Sequence, residues 1–250
     1  MAIKILHTDL NDHQKAEEAF FASDKSMCSV KDVHKQVSWK MRSLWMMNEI
    51  IEKYHLDFSG TTLELGGGYG VQAAYLKAKY GDNIILHYSD ISLTAVKTSE
   101  RFEEFFKVEI DHKYVMQSEL IPLAGESFDC VFFFAAFHHI QDHSRALEEC
   151  RRILKKGGRL YLLLEPSCPK YLQGLFNRHT RRDHIEEESF SRKEYAALLK
   201  GQFSTVAQHN FTGYYNRESR RSLLYYLFLS LLPKWLLRFL PCSQVMVAVK

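Results

Sequence analysis

The spacing of apolar residues changes character near residue 60. Up to about Ser59 apolar positions recur at helical intervals. Gln14–Ala22 is polar with one apolar face, and Gln36–Tyr54 carries Val37, Met41, Leu44, Trp45, Ile50 and Ile51 about one turn apart. From Thr61 short apolar runs alternate with amphipathic stretches. The runs are Thr61–Leu65, Asn83–Tyr88, Lys113–Met116, Cys130–Phe134 and Arg159–Leu164; the helices between them are Val71–Lys79, Leu93–Phe106 and Ser144–Leu154. Apolar runs alternating with helices predict βαβ units and a parallel sheet covered on both faces. Gly157-Gly158 punctuates the third helix before the next strand.

After Glu165-Pro166 the pattern loosens into a polar, basic stretch from Asn177 to Asp183. It resumes at Ser191-Arg192-Lys193-Glu194, a capping-box signature that opens a helix over Glu194–Lys200. Phe203–Phe211 alternates as a strand, and Ser243–Val249 is a last strand with Val245, Val247 and Val249 on one face.

The chemistry concentrates where the first core strand ends. Leu63-Glu64-Leu65-Gly66-Gly67-Gly68-Tyr69-Gly70 leaves a strand and opens a helix. Glycines let the backbone turn tightly and approach a ligand, and the helix N-terminus offers unpaired N–H groups. A nicotinamide-binding loop reads G-x-G-x-x-G; counted from Gly66, its third glycine falls on Val71, so that match fails. Asp90 follows the second core strand in Tyr88-Ser89-Asp90-Ile91-Ser92. A carboxylate there can accept both hydroxyls of a ribose, or with Ser92 can simply cap the next helix.

With these features, Ser127-Phe128-Asp129-Cys130-Val131, Ala136-Phe137-His138-His139-Ile140 and Arg152-Ile153-Leu154-Lys155-Lys156-Gly157-Gly158 complete a succession that resembles the class I methyltransferases, small-molecule branch. The resemblance runs from about Thr61 to Glu165. It implies S-adenosylmethionine as cofactor, with Glu64, Gly66 and Gly68 facing its methionine part, Asp90 its ribose and Ile91 its adenine. Phe134, closing the fourth strand, belongs to the same implied site. The family often places an aspartate after the third strand; Gln117 and Ser118 stand there instead. The fold class that follows is α/β: a three-layer, doubly wound, mostly parallel seven-stranded sheet with an antiparallel last strand. A helical cap occupies residues 1–59 and the methyltransferase domain residues 60–250, with insertions at 167–190 and 215–242.

A sulfonium methyl is already electrophilic, so positioning, worth roughly 7–11 kcal/mol, is the main task. An acceptor that loses a proton also needs a base, worth about 10²- to 10⁴-fold. His138 and His139 are the candidates; alternatively they pack against the loop or cap a helix. His139 and His143 form a lone H-x-x-x-H without a third ligand or a second shell, so no metal is expected. The fourth strand is followed by Ala135-Ala136 where base- and glutamine-methylating enzymes carry Asn/Asp-Pro-Pro-Tyr. Arg178, Arg181 and Arg182 are not interleaved with stacking aromatics, so no nucleic acid is expected. The predicted function is methyl transfer to a small apolar or lipid-like acceptor at oxygen or carbon; the alternative is a cofactor-binding regulatory or partner subunit.

The stretch Leu223–Leu240 is very apolar, yet Pro233, Lys234 and Arg238 interrupt it. It falls short of the roughly 20 unbroken apolar residues that cross a bilayer. Three readings stand: a lid over the substrate pocket, a peripheral membrane contact through 217–241, or a packing or dimer-forming element. Trp39, Trp45, Met46 and Met47 are candidates for the pocket's other wall. The formal net charge of +3 is too small to argue for nucleic acid. Five scattered cysteines without a C-x-x-C pair, and no signal-like apolar run at Met1–Leu10, suggest a cytoplasmic location.

Overall fold

A computed structural model describes residues 2–6, 10–23, 31–174, 190–213 and 220–250. Eight strands form one sheet: β1 (Ile3–Ile5), β2 (Gly60–Glu64), β3 (Ile84–Asp90), β4 (His112–Val115), β5 (Phe128–Phe134), β6 (Leu154–Ser167), β7 (Thr205–Phe211) and β8 (Cys242–Val249). Their order is β1-β4-β3-β2-β5-β6-β8-β7. All pairings through β6 are parallel, and β8 runs antiparallel to both β6 and β7. The helices are α1 (Asp12–Ala22), α2 (Val33–Tyr54), α3 (Val71–Tyr80), α4 (Leu93–Phe106), α5 (His143–Ile153), α6 (Arg192–Lys200) and α7 (Arg220–Leu231).

The predicted strands and helices form in the predicted order, but the sheet has eight strands where seven are expected. The additional one, β1, lies in the stretch read as purely helical and pairs with β4 through Ile3↔Lys113 and Ile5↔Val115. Three residues are too few to show a period. The unpaired edge of β4, which only the assembled sheet exposes, supplies the reason for the strand. Gly157 and Gly158 likewise do not stop α5, which ends at Ile153. They sit where the register between β5 and β6 shifts, with Gly157 at φ 76°.

Alternation along the strands builds two apolar layers. Leu86, Tyr88, Phe132 and Val245 pack with Met46, Met47 and Ile50 of α2, Leu76 of α3 and Val96 of α4. Val131, Phe133, Leu160 and Met246 pack with Leu147 and Cys150 of α5 and Tyr195 and Leu199 of α6. Burying both faces of a parallel sheet demands these near-continuous apolar runs. Local signals close the helices: the Ser191 hydroxyl accepts from the Glu194 amide while the Glu194 carboxylate accepts from the Ser191 amide. The Ser92 hydroxyl caps α4 through the Ala95 amide.

The reversal of strand order falls between β2 and β5. There the crossovers diverge to opposite faces, so a crevice opens at the strands' C-terminal ends.

A buried ion pair ties β4 to α4 in this frame. Lys113 on β4 is 2% exposed and donates to Glu103 of α4 at 2.8 Å, with Glu100 farther off at 3.9 Å. Glu103 also accepts from the Ile110 amide at 2.7 Å. Glu103→Ala leaves the ammonium buried against a poor substitute partner. Urea denaturation is expected to show a loss of about 3 kcal/mol.

Candidate functional site

At the crevice lies a cavity of about 320 Å³. Its floor is the glycine loop between β2 and α3. Gly66, Gly68 and Gly70 take φ values of 63°, 55° and 72°, a left-handed region in which a side chain is strained. At Gly70 a Cβ would also lie 2.5 Å from the Ser99 Cβ. Cross-strand bonds fix the loop: the Gly67 amide donates to the Ser89 carbonyl at 2.9 Å, and the Tyr88 hydroxyl donates to the Gly68 carbonyl. Gly68 itself faces open space, since a Cβ there would meet nothing nearer than Phe21 at 3.9 Å.

Gly66, Gly68, Asp90, Ile91, Gln117, Ser118, Phe134 and His139 all border the cavity. These residues come from four separate strand ends. Asp90, 5% exposed, accepts from the Gly68 amide at 2.8 Å and from the Ser92 amide at 2.9 Å. Burial lifts its carboxyl to about 6, the two amides pulling the other way. Glu64 lies under the loop, not on the cavity wall, and is fully buried. Neither of its carboxyl oxygens has a hydrogen-bond partner among the described residues. Burial first and the neighbouring Asp90 second hold it well above the usual carboxylate range.

The two candidate histidines part company, and the expectation of two cavity bases is corrected. His138 does not border the cavity: its Nδ1 is 2.8 Å from Glu165, a fully buried carboxylate on β6. Glu165 also accepts from the amides of Ala136, Phe137 and His138 at 3.0–3.1 Å. It thus gathers the exposed donors of the short turn Phe137–His139, and His138 completes the cluster. His139 does face the cavity. Burial, then His138 and His13, push its ring down to about 3, so it is neutral at physiological pH. His143 stacks edge-on against Phe137 and Phe190. Among the described residues no group of three His, Cys, Asp or Glu could hold a metal.

The cavity's roof is α1, capped at Asn11 by a box with Gln14. It supplies His13, Gln14, Glu17, Phe20 and Phe21. His13 Nε2 lies 2.9 Å from the His139 carbonyl, and Glu17 Oε1 is 3.8 Å from both His13 Nε2 and His139 Nδ1. Burial chiefly, then Asp90 and Glu119, lift the Glu17 carboxyl to about 8. Sequence reading missed Glu17, His13 and Glu165. The first two sit on a helix whose polar face looked solvated, and the third ended an apolar run. α2 contributes Lys40 and Ser43. Trp39, Trp45, Met46 and Met47 do not line the cavity: the methionines face the sheet in the core, and the tryptophans are about half exposed. No described residue of 220–240 lines it either. Arg178, Arg181 and Arg182 lie outside the described residues.

Comparison with known proteins agrees with this geometry. Residues 63–162 match the family described as "Methyltransferase domain". The ubiquinone/menaquinone biosynthesis C-methyltransferase UbiE of Enterobacter sp. (strain 638) is 30% identical over 139 residues, 53% of this chain and 53% of that protein. The glycine/sarcosine/dimethylglycine N-methyltransferase of Actinopolyspora halophila is 32% identical over 143 residues, 54% of this chain and 24% of that one. The chain thus spans about half the length of the first relative. Among solved structures, geranyl diphosphate C-methyltransferase from Streptomyces coelicolor A3(2) superposes with a TM-score of 0.67. It is 14% identical and aligned over 96% of this chain and 99% of that one, a likeness of fold.

Glu165→Ala removes the acceptor of three backbone amides and of His138 at once. Thermal or urea unfolding is expected to report a loss of about 3 kcal/mol or more, whereas Glu165→Gln, which keeps one acceptor oxygen, retains part of that stability.

Proposed function

We propose that this chain is a class I S-adenosylmethionine-dependent methyltransferase that transfers a methyl group to a small, apolar or lipid-like acceptor at oxygen or carbon. The observation that carries this reading is the ring of carboxyl groups in and under one apolar-walled cavity. Glu17, Asp90 and Glu64 all sit above their ordinary range, as groups short of positive partners do. A ligand bearing a sulfonium and an ammonium supplies the missing charge, and the open approach at Gly68 admits it.

In this reading Gly66, Gly68 and Glu64 hold the methionine end of the cofactor. Asp90 accepts from the ribose hydroxyls, and Ile91, Phe134, Gln117 and Ser118 surround the adenine. When bound, the cofactor supplies an electrophilic methyl group. The chain's own task is then to exclude water, orient the acceptor and take its proton. Phe20, Phe21, Phe133 and Ile140 line the cavity and favour an apolar acceptor. Glu17 is the better base: a carboxylate titrating near 8 takes a proton far more readily than an imidazole titrating near 3. His139 stands beside it as a neutral hydrogen-bonding group, and His138 acts from behind the wall by holding Glu165 and the turn. A cytoplasmic site of action belongs to this reading.

Incubating the protein with methyl-labelled cofactor and cell extract tests the reaction. Label in an organic-soluble product is expected; label only on protein or a water-soluble sugar refutes the acceptor class. Asp90→Ala is expected to weaken cofactor binding about 10- to 100-fold by calorimetry, the worth of hydrogen bonds to a charged group. Unchanged affinity overturns the ribose assignment. Glu17 must be deprotonated to act, so kcat/KM is expected to rise with pH, reach half its plateau near 8 and level off above that. Glu17→Gln is expected to flatten that profile and to lower kcat by about 10²- to 10⁴-fold.

A further inference from the structure

From Ser219 to Lys250 the sequence contains no Asp or Glu, while Arg220, Arg221, Lys234 and Arg238 fall within it. This acid-free segment forms α7 and the turn that follows. Leu229 and Leu237 pack inward on Cys242, and the Tyr225 hydroxyl donates to the Pro241 carbonyl at 2.7 Å, anchoring the unit to the start of β8. The opposite side is open. Leu224 is 66% exposed, Phe228 50% and Leu231 83%, three or four residues apart and therefore on one stripe. Trp235 and Phe239 extend the apolar surface, with Lys234 and Arg238 exposed among them.

Three occupants can be weighed. The substrate cavity is not one, since no described residue of this segment borders it. A second copy related by a two-fold axis would set the same cations against each other, with no acid in the segment to pair them. Insertion across a bilayer fails on length: twelve residues of helix span about 18 Å. What remains complementary is a flat apolar layer beneath negative charge. We infer that α7 and the following turn seat this face on the surface of an anionic lipid bilayer. Leu224, Leu227, Phe228 and Leu231 enter the acyl boundary, Trp235 sits at the headgroup level, and Lys234 and Arg238 meet the phosphates.

The inference goes beyond methyl transfer and is tested without it. The full chain is floated with vesicles of equal parts phosphatidylcholine and phosphatidylglycerol, and with phosphatidylcholine alone. Binding to the anionic vesicles is expected to be stronger by roughly tenfold or more and to weaken in high salt. Leu224→Glu with Leu231→Glu, both exposed and so compatible with folding, is expected to abolish flotation. Lys234→Glu with Arg238→Glu should bring it down to the level of phosphatidylcholine alone. Asp90→Ala should float like the unaltered protein, so a failed cofactor assignment stays distinguishable from a failed surface assignment. No flotation, or flotation that Leu224→Glu with Leu231→Glu leaves intact, overturns the inference. A non-floating dimer that Leu231→Glu dissociates overturns it too, and assigns the face to a second copy.

Discussion

Keeping carboxyl groups away from water is costly, and the active end of this molecule is organised around that cost. Glu64 lies entirely inside and Asp90 nearly so, while Glu17 closes the roof above them. An isolated buried carboxylate is stabilised either by taking up a proton or by acquiring donors and positive charge. Asp90 takes the second route in part, through the Gly68 amide that the glycine loop presents and the Ser92 amide that follows it in the chain. Glu64 has no hydrogen-bond partner among the described residues, and burial holds its carboxyl well above the usual range. The βαβ frame brings Glu64 and Asp90 to one end of the sheet, and α1 adds Glu17 from above.

Glu165 solves the same problem differently. Its carboxylate is fully satisfied by three amides and a histidine. Asp90 and Glu17 border the cavity and Glu64 lies beneath its floor, whereas Glu165 is bound into the turn behind the wall. Comparable side chains thus serve either as structural acceptors or as groups awaiting charge, and what decides is the number of donors within reach.

Much of the frame was legible in the sequence because it is local. Apolar runs such as Cys130–Phe134 announce strands buried on both sides, and the spacing of Gly66, Gly68 and Gly70 after Glu64 announces a turn open to a ligand. What stayed hidden depends on contacts across the chain. β1 exists because β4 offers an edge, and Glu17 and His13 reach the cavity only because α1 folds back over the strand ends. The histidine pair shows the limit most clearly. Adjacent in sequence and with rings only 4.1 Å apart, His138 and His139 still differ in surroundings: His138 meets Glu165, and His139 borders the cavity.

The position of Glu165 depends on a single irregularity in β6. Leu163 and Leu164 both pack in the layer shared with α2 and α3, because the register with β8 slips between Leu163 and Glu165 and Leu164 adopts φ 58°. In an unbroken strand Glu165 would have shared the side of Leu163; the slip sends it to the α5 side, under Phe137. The parity of one strand therefore aims the carboxylate, and a left-handed leucine, costing on the order of 1–3 kcal/mol, sustains the arrangement. Residues along β6 are consequently not interchangeable with gaps. Losing or gaining one between Arg159 and Glu165 would turn Glu165 to the other face of the sheet while leaving every residue that lines the cavity unchanged.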